Sequence, residues 1–286
     1  MLNPQTTLNC KGRLVDLSTP KVMGILNVTP DSFFDGGQYT AEDAMLHQVE
    51  KMIEEGADFI DIGGMSSRPG AEIISVDEEL GRVIPVVRAI GKRFPDSILS
   101  IDTVRSRVAR EAVAAGASMV NDISAARFDE QLFETVGKLQ VPYVLMHMQG
   151  KPSDMQKAPT YDSVLTEVLD FLIDKLEQLR HHNVKDVVID PGFGFGKALS
   201  HNYELLSQMS VFKTLGLPIL AGVSRKSMIC KLLKVNPAQA LNGTTALHMI
   251  ALQQGASILR VHDVRPAVEV IQLWQAVAAP NDIKFG

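Results

Sequence analysis

Side chains able to do chemistry recur at one kind of place in this sequence, the end of a short apolar run. Asn27, Asp61, Asp102, Asn121 with Asp122, His147, Asp190, Ser224-Arg225-Lys226, and Arg260 with His262 each close such a run. The set carries both signs of charge. A carboxylate can accept a pair of N–H groups, a strong contact. Arg260 and His262 lie two residues apart on an extended run, so their side chains project the same way and can meet an anion together. One polar residue at a strand end need only mark where strand meets loop. Eight in succession imply a shared site.

Missing motifs narrow the reaction. Gly192-Phe-Gly-Phe-Gly-Lys197 looks like a phosphate loop, but Pro191 precedes it and Ala198 follows, so the Gly-x4-Gly-Lys-Ser/Thr rule fails. Gly222-Val-Ser-Arg-Lys226 puts Lys where a nucleophile elbow needs Gly. There is no His-Glu-x-x-His and no Cys-x-x-Cys. P-loop, serine-hydrolase and zinc-protease chemistry therefore drop out, and no nucleophile and base stand out as a pair.

The runs that carry these residues read as strands: 22–28, 59–63, 98–102, 119–122, 143–146, 187–190, 219–223 and 258–261. Amphipathic segments lie between them. Leu80, Val83, Ile84, Val87 and Ile90 follow a helical stripe, as do Val164, Leu165, Val168, Leu169, Leu172 and Leu176. Thr40-Ala-Glu-Asp43 and Ser75-Val-Asp-Glu78 read as helix starts, and Gly56 and Gly116 as stops. Strand and helix alternate eight times, which implies parallel strands with crossover helices. The predicted class is α/β, a (β/α)8 TIM barrel in a single domain over 21–286, preceded by an N-terminal extension, 1–20. A doubly wound sheet is the alternative, since strand order is invisible in sequence. In a barrel, all the C-terminal strand ends converge on one mouth.

Composition excludes other classes. The 286 residues are 45% hydrophobic and 21% charged, enough apolar material for a large core. Lys+Arg 28 against Asp+Glu 33 leaves a net charge of −5, without the basic excess of a nucleic-acid or anionic-membrane binder. The first residues carry no basic-then-apolar secretory pattern, and the uncharged stretch 235–259 is broken by Asn, Gln, Pro, Gly and His. Two cysteines, Cys10 and Cys230, make no disulfide framework. A soluble protein of the cytoplasm is expected. Twelve methionines read as core filling, and His47, His181, His182, His201 and His248 as surface or packing residues.

Taken in order, the loop words are distinctive. Asn27-Val-Thr-Pro-Asp-Ser-Phe33 with Asp35-Gly-Gly37 is followed by Gly63-Gly-Met-Ser-Ser-Arg-Pro-Gly70, then Ser100-Ile-Asp-Thr103 and Asn121-Asp-Ile123. His147-Met-Gln-Gly150, Asp190-Pro-Gly-Phe-Gly-Phe-Gly-Lys197, Ser224-Arg-Lys-Ser227 and Arg260-Val-His-Asp263 complete the set. The series resembles the dihydropteroate synthase family, folate-pathway enzymes that sulfonamides inhibit, from about Val22 to past Asp263.

The resemblance implies condensation of 6-hydroxymethyl-7,8-dihydropterin diphosphate with p-aminobenzoate, through a pterin methylene cation, releasing pyrophosphate. It implies Mg2+ at Asn27 and a homodimer. The pterin would lie on Asp102, Asn121, Asp190 and Lys226, with Met146 and Gly222 beside it. The diphosphate would meet Asn27, Arg68, Arg260 and His262. Ser67, Arg68, Pro69, Phe33, Phe195 and Ser227 would surround p-aminobenzoate, and Asp102, Asp190, Lys226 and Asp35 would act in catalysis. The chain departs from the usual Gly-Gly-Glu-Ser-Thr-Arg-Pro-Gly at Met65 and Ser67, and Phe34 stands where a smaller or polar residue is common. Two other readings stay open: a pterin-binding methyltransferase barrel, which needs no anion set, and a silent paralogue that binds pterin without turning it over.

Overall fold

Period-two alternation along each strand sorts side chains into an outer apolar row facing helices and an inner row whose character changes with height. The computed structural model describes residues 4–28, 41–65, 74–152 and 154–282. Eight parallel strands are β3 (Lys21–Asn27), β4 (Phe59–Gly63), β5 (Ile98–Asp102), β6 (Met119–Asp122), β7 (Tyr143–Met146), β8 (Val187–Asp190), β9 (Leu220–Ala221) and β10 (Ile258–Val261). They are bonded in the order β8-β7-β6-β5-β4-β3-β10-β9. A bridge between Ile189 and Ile219, with Ile189 N–H on the Pro218 carbonyl at 2.9 Å, closes the seam from β8 to β9. That closure makes a barrel and excludes the doubly wound sheet.

The helices are α1 (Ala41–Glu54), α2 (Val76–Arg93), α3 (Ser106–Ala115), α4 (Leu132–Leu139), α5 (Val164–His181), α6 (Leu199–Ser207), α7 (Ser227–Leu233), α8 (Leu241–Gln253) and α9 (Val264–Ala278). Their stripes meet the outer row (Val22, Leu26, Ile60, Ile62, Leu99, Ile101, Val120, Leu145, Ile189) in one continuous core. Ser75 caps α2 as its sequence predicts, its Oγ accepting from Glu78 N–H at 3.1 Å. Among the described residues no helix is long and apolar enough to cross a membrane.

The first strand runs one residue earlier than its pattern suggests. The seventh pairs only over Leu220–Ala221 rather than 219–223. Ile219 makes a lone bridge, and beyond Gly222 the chain turns, the Val223 carbonyl accepting Lys226 N–H. Within the N-terminal extension, β1 (Thr7–Cys10) and β2 (Arg13–Asp16) form an antiparallel hairpin. Its turn is Lys11-Gly12, both at positive φ (55° and 91°), the handedness that matches strand twist. Leu8, Cys10, Val15 and Leu17 pack on Met23, Phe59, Met119, Val144, Val188, Leu220 and Ile258, closing the barrel floor.

Candidate active site

Two residues above that floor, the alternation that buries Phe59, Met119, Val188 and Ile258 turns Asp61, Asn121, Asp190 and Arg260 inward. Arg260 forks between two carboxylates: Nε donates to Asp61 Oδ2 at 2.7 Å and Nη2 to Asp102 Oδ2 at 2.7 Å. Asn121 Nδ2 donates to the same Asp61 oxygen at 2.9 Å, while Asp61 Oδ1 has no partner among the described residues. Burial raises the Asp102 carboxyl toward neutrality against the pull of Arg260, with Asp61, Glu79 and Asp122 adding to the rise. The guanidinium, between two carboxylates, stays charged.

Across the mouth, Asp190 Oδ1 accepts Gly192 N–H at 2.7 Å. Burial lifts its pKa, opposed by that bond and by Lys226, Arg260 and Lys197. Lys226 Nζ lies 4.1 Å from the centroid of the Phe195 ring, a cation–π contact. Burial, then the charge of Arg260, brings its pKa down to about 8, with Asp190 and Asp102 pulling the other way. A Cβ at Gly222 would lie 3.9 Å from Asp190 Oδ2, so this glycine borders the carboxylate directly.

The loops after β9 and β10 are tied together. Arg225, at φ 53°, donates from Nε and Nη2 to Asp263 at 2.8 and 2.7 Å, and from Nη1 to the Pro237 carbonyl at 3.0 Å. Its own N–H donates to Thr244 Oγ1 at 3.0 Å. A non-glycine residue in this region costs about 1–3 kcal/mol, and the four bonds hold it there. The result brings Ser224 against His262, whose N–H donates to Ser224 Oγ at 3.2 Å with Nδ1 3.1 Å from the same oxygen. Desolvation, then Arg260, Arg225 and Lys226, depress the His262 pKa to about 4. His262 is therefore neutral at pH 7, a hydrogen-bonding group rather than a cation.

The Pterin binding enzyme family matches residues 23–262. A dihydropteroate synthase of Haemophilus influenzae is 46% identical over 95% of this chain and 98% of its own length. The chain belongs to the dihydropteroate synthase family. It is a transferase. Among solved structures, Yersinia pestis dihydropteroate synthase with a sulfonamide drug superposes with a TM-score of 0.90 at 45% identity, over 96% of this chain and 99% of that one. Xanthomonas albilineans dihydropteroate synthase in complex with 7,8-dihydropteroate gives 0.86 at 43%, over 96% and 99%.

Of the residues singled out in the sequence, Asp102, Asn121, Met146, Asp190, Gly222, Lys226 and Arg260 come together at the mouth of this synthase-family barrel. Met146 and Phe195 are buried in one small cluster with Val104, Ile123, Met148 and Met155, against which Met65 packs. Asn27 ends β3 and Ser227 begins α7, both exposed. Phe33, Asp35, Ser67, Arg68 and Pro69, with Phe34 and the Thr40 cap, lie outside the described residues. Asp61 was visible as a strand-end residue but had no role; the alternation within Phe59–Gly63 is the signal that turns it inward. Lys197 closes both a failed phosphate motif and one of the family's loop words, but neither gives it a role. Among the described residues no three His, Cys, Asp or Glu side chains gather as a metal cluster.

Proposed function

We propose that this chain condenses 6-hydroxymethyl-7,8-dihydropterin diphosphate with p-aminobenzoate to give 7,8-dihydropteroate and pyrophosphate, using the pit around Arg260. The observation that carries the reading is the buried Asp61–Arg260–Asp102 fork with Asn121, facing Asp190 and Lys226. Asp102, Asn121 and Asp190 accept and donate along the aminopyrimidinone edge, and Lys226 donates to the ring carbonyl and a ring nitrogen. Met146 and Gly222 line the ring's place. This edge pairing selects the heterocycle, since a misfit would leave buried carboxylates unpaired.

The diphosphate sits outward of the ring, where Asn27, Arg68, Arg260 and His262 meet it. Arg260 still has Nη1 without a partner among the described residues, and neutral His262 donates a hydrogen bond. Mg2+ bound with the diphosphate would be held by Asn27 and would supply positive charge to offset the leaving group. Asn27 Oδ1 fits it as a hard oxygen at the strand end: it lies 3.9 Å from where a Cβ on Gly63 would stand, while Asp102 Oδ2, 3.7 Å from the same point, already accepts from Arg260 Nη2. As pyrophosphate leaves, positive charge grows on the pterin methylene, and Asp102 and Asp190 stabilise it from fixed positions. The arylamine attacks from a site formed by Phe195, Ser227, Ser67, Arg68, Pro69 and Phe33, with Asp35 ordering the first loop. Sulfonamides compete there.

The enzyme works in the cytoplasm, where unpaired Cys10 and Cys230 stay reduced. Two copies pair, a reading supported by exposed Leu232 and Leu233 on α7, Leu241 and Ile250 on α8, and Leu273 and Val277 on α9. The test is pyrophosphate release from the dihydropterin diphosphate with Mg2+, with and without p-aminobenzoate. Release that requires the amine and yields dihydropteroate is expected. Tight pterin binding with no release would replace this reading with a silent binding protein.

A further inference from the structure

The glycine-rich segment after β8 is built around a cation that points inward. Lys197 is 2% exposed, and its Nζ lies 2.9 Å from His147 Nδ1, 2.9 Å from the Gly192 carbonyl, 3.1 Å from the Phe195 carbonyl and 3.4 Å from the His147 carbonyl. Three short acceptors match the three protons of an ammonium. None is a carboxylate. Gly192, Gly194 and Gly196 all take positive φ (74°, 80° and 62°), and a Cβ at Gly192 or Gly196 would collide with the carbonyl of His147 or Gln149. The loop is thus folded tightly against β7's end, with two more of its carbonyls taken from outside: Gly194 by Gln156 Nε2 at 2.5 Å and Gly196 by the Tyr161 hydroxyl at 2.7 Å.

What this loop presents to the mouth is Phe195, whose ring stacks on Lys226 Nζ. We propose that Lys197 is a positioning residue: its ammonium gathers the Gly192 and Phe195 carbonyls onto His147 and so sets the Phe195 ring, the wall between the pterin and arylamine places. The assignment rests on the function proposed above for those two places. Lys197 touches no substrate and acts through Phe195. His147 supports it as an acceptor, its ring held edge-on to Phe171 with centroids 4.8 Å apart, and burial, then the charges of Lys197 and Arg127, keep it neutral. Replacing the ammonium by an apolar group takes the donor from the Phe195 carbonyl and from His147 Nδ1, leaves the Gly192 carbonyl only the Phe195 N–H at 3.2 Å, and frees the ring to shift; misplacement by about 1 Å can cost up to 100-fold in rate.

The experiment compares Lys197→Met, His147→Gln and His147→Leu with the unaltered enzyme in steady-state kinetics, pterin binding and NMR of the Lys226 side chain. In the unaltered protein the Phe195 ring face shifts the Lys226 ε-methylene resonance. Lys197→Met should move that resonance toward an ordinary lysine position and raise KM for p-aminobenzoate by about tenfold or more, with pterin affinity within about threefold. His147→Gln retains an acceptor and should stay near the unaltered enzyme, while His147→Leu should follow Lys197→Met more weakly. An unchanged resonance and KM in Lys197→Met, or equal losses for pterin and arylamine, would overturn the assignment. If Lys197→Met does not fold, the two His147 variants decide by the same comparison. The resonance is read without turnover, so an inactive unaltered enzyme would overturn the proposed reaction and not the clasp.

Discussion

Arg260 and Lys197 are two cations sunk into one barrel mouth, and their partners differ in kind. Arg260 is gripped by Asp61 and Asp102. Lys197 has carbonyls and one imidazole nitrogen. The consequence appears in their affinity for a proton. Asp61 and Asp102 overcome the cost of burial and lift Arg260 above its ordinary value, whereas burial draws Lys197 down to about 7, with only Asp190 pulling upward against Lys226 and Arg127. A guanidinium between carboxylates is a fixed charge suited to meeting a leaving anion. An amine among neutral acceptors, which keeps N–H donors in either protonation state, suits holding backbone in place.

The largest effect should come from breaking the first grip. Asp61→Ala leaves Arg260 with one carboxylate and Asn121 Nδ2 without its acceptor, and breaking a buried ion pair typically costs about 3–5 kcal/mol. Lys197→Met removes a cation from neutral groups and should cost about 1–3 kcal/mol. Urea unfolding of both variants checks the contrast. Equal losses would mean that the kind of partner does not set the strength of the anchor.

Asp102→Asn tests the same fork for function. The amide still offers an oxygen to Arg260 and Asp61 keeps the charged contact, so stability should fall less than in Asp61→Ala. Turnover should fall on the order of 100-fold or more, as when a fixed group aimed at transition-state charge is lost. Turnover at the unaltered rate would remove Asp102 from stabilisation of the methylene cation.

Much of the barrel was legible because its strands are short apolar runs with sharp polar ends. Six of the eight end where their patterns end, from Phe59–Gly63 to Ile258–Val261. The seventh was overextended because Val223 looks like strand but lies in a turn. The hairpin that plugs the floor was hidden: four-residue strands give little alternation, and only tertiary contact with Met23 and Phe59 makes Leu8 and Val15 core. In the site, residue types announced Asp102, Asn121, Asp190, Lys226 and Arg260. That Arg260 is shared with Asp61 depends on the angle at which β10 and β4 bring their side chains across the barrel, which no linear pattern contains. Lys197 was illegible for a related reason. Its direction, inward rather than toward a phosphate, is set by three glycines at positive φ.

The smallest effect sharpens the comparison through the third cation, Lys226, which has neither anchor. It faces Phe195, and Arg260, Asp190 and Asp102 act on it through space. With its pKa lowered to about 8, it loses its proton as pH climbs through that value, and with the proton goes the donor proposed for the pterin carbonyl. Pterin affinity should therefore be full near pH 7 and drop roughly tenfold by pH 9, following the protonated fraction. Lys226→Arg keeps its charge across that window, so its affinity, whatever its absolute value, should be flat. Calorimetric titration of both proteins with pterin from pH 6.5 to 9.5 reads the difference. An alkaline limb that persists in Lys226→Arg would belong to another group, and Lys197, the other amine softened by burial, would be the one to replace next.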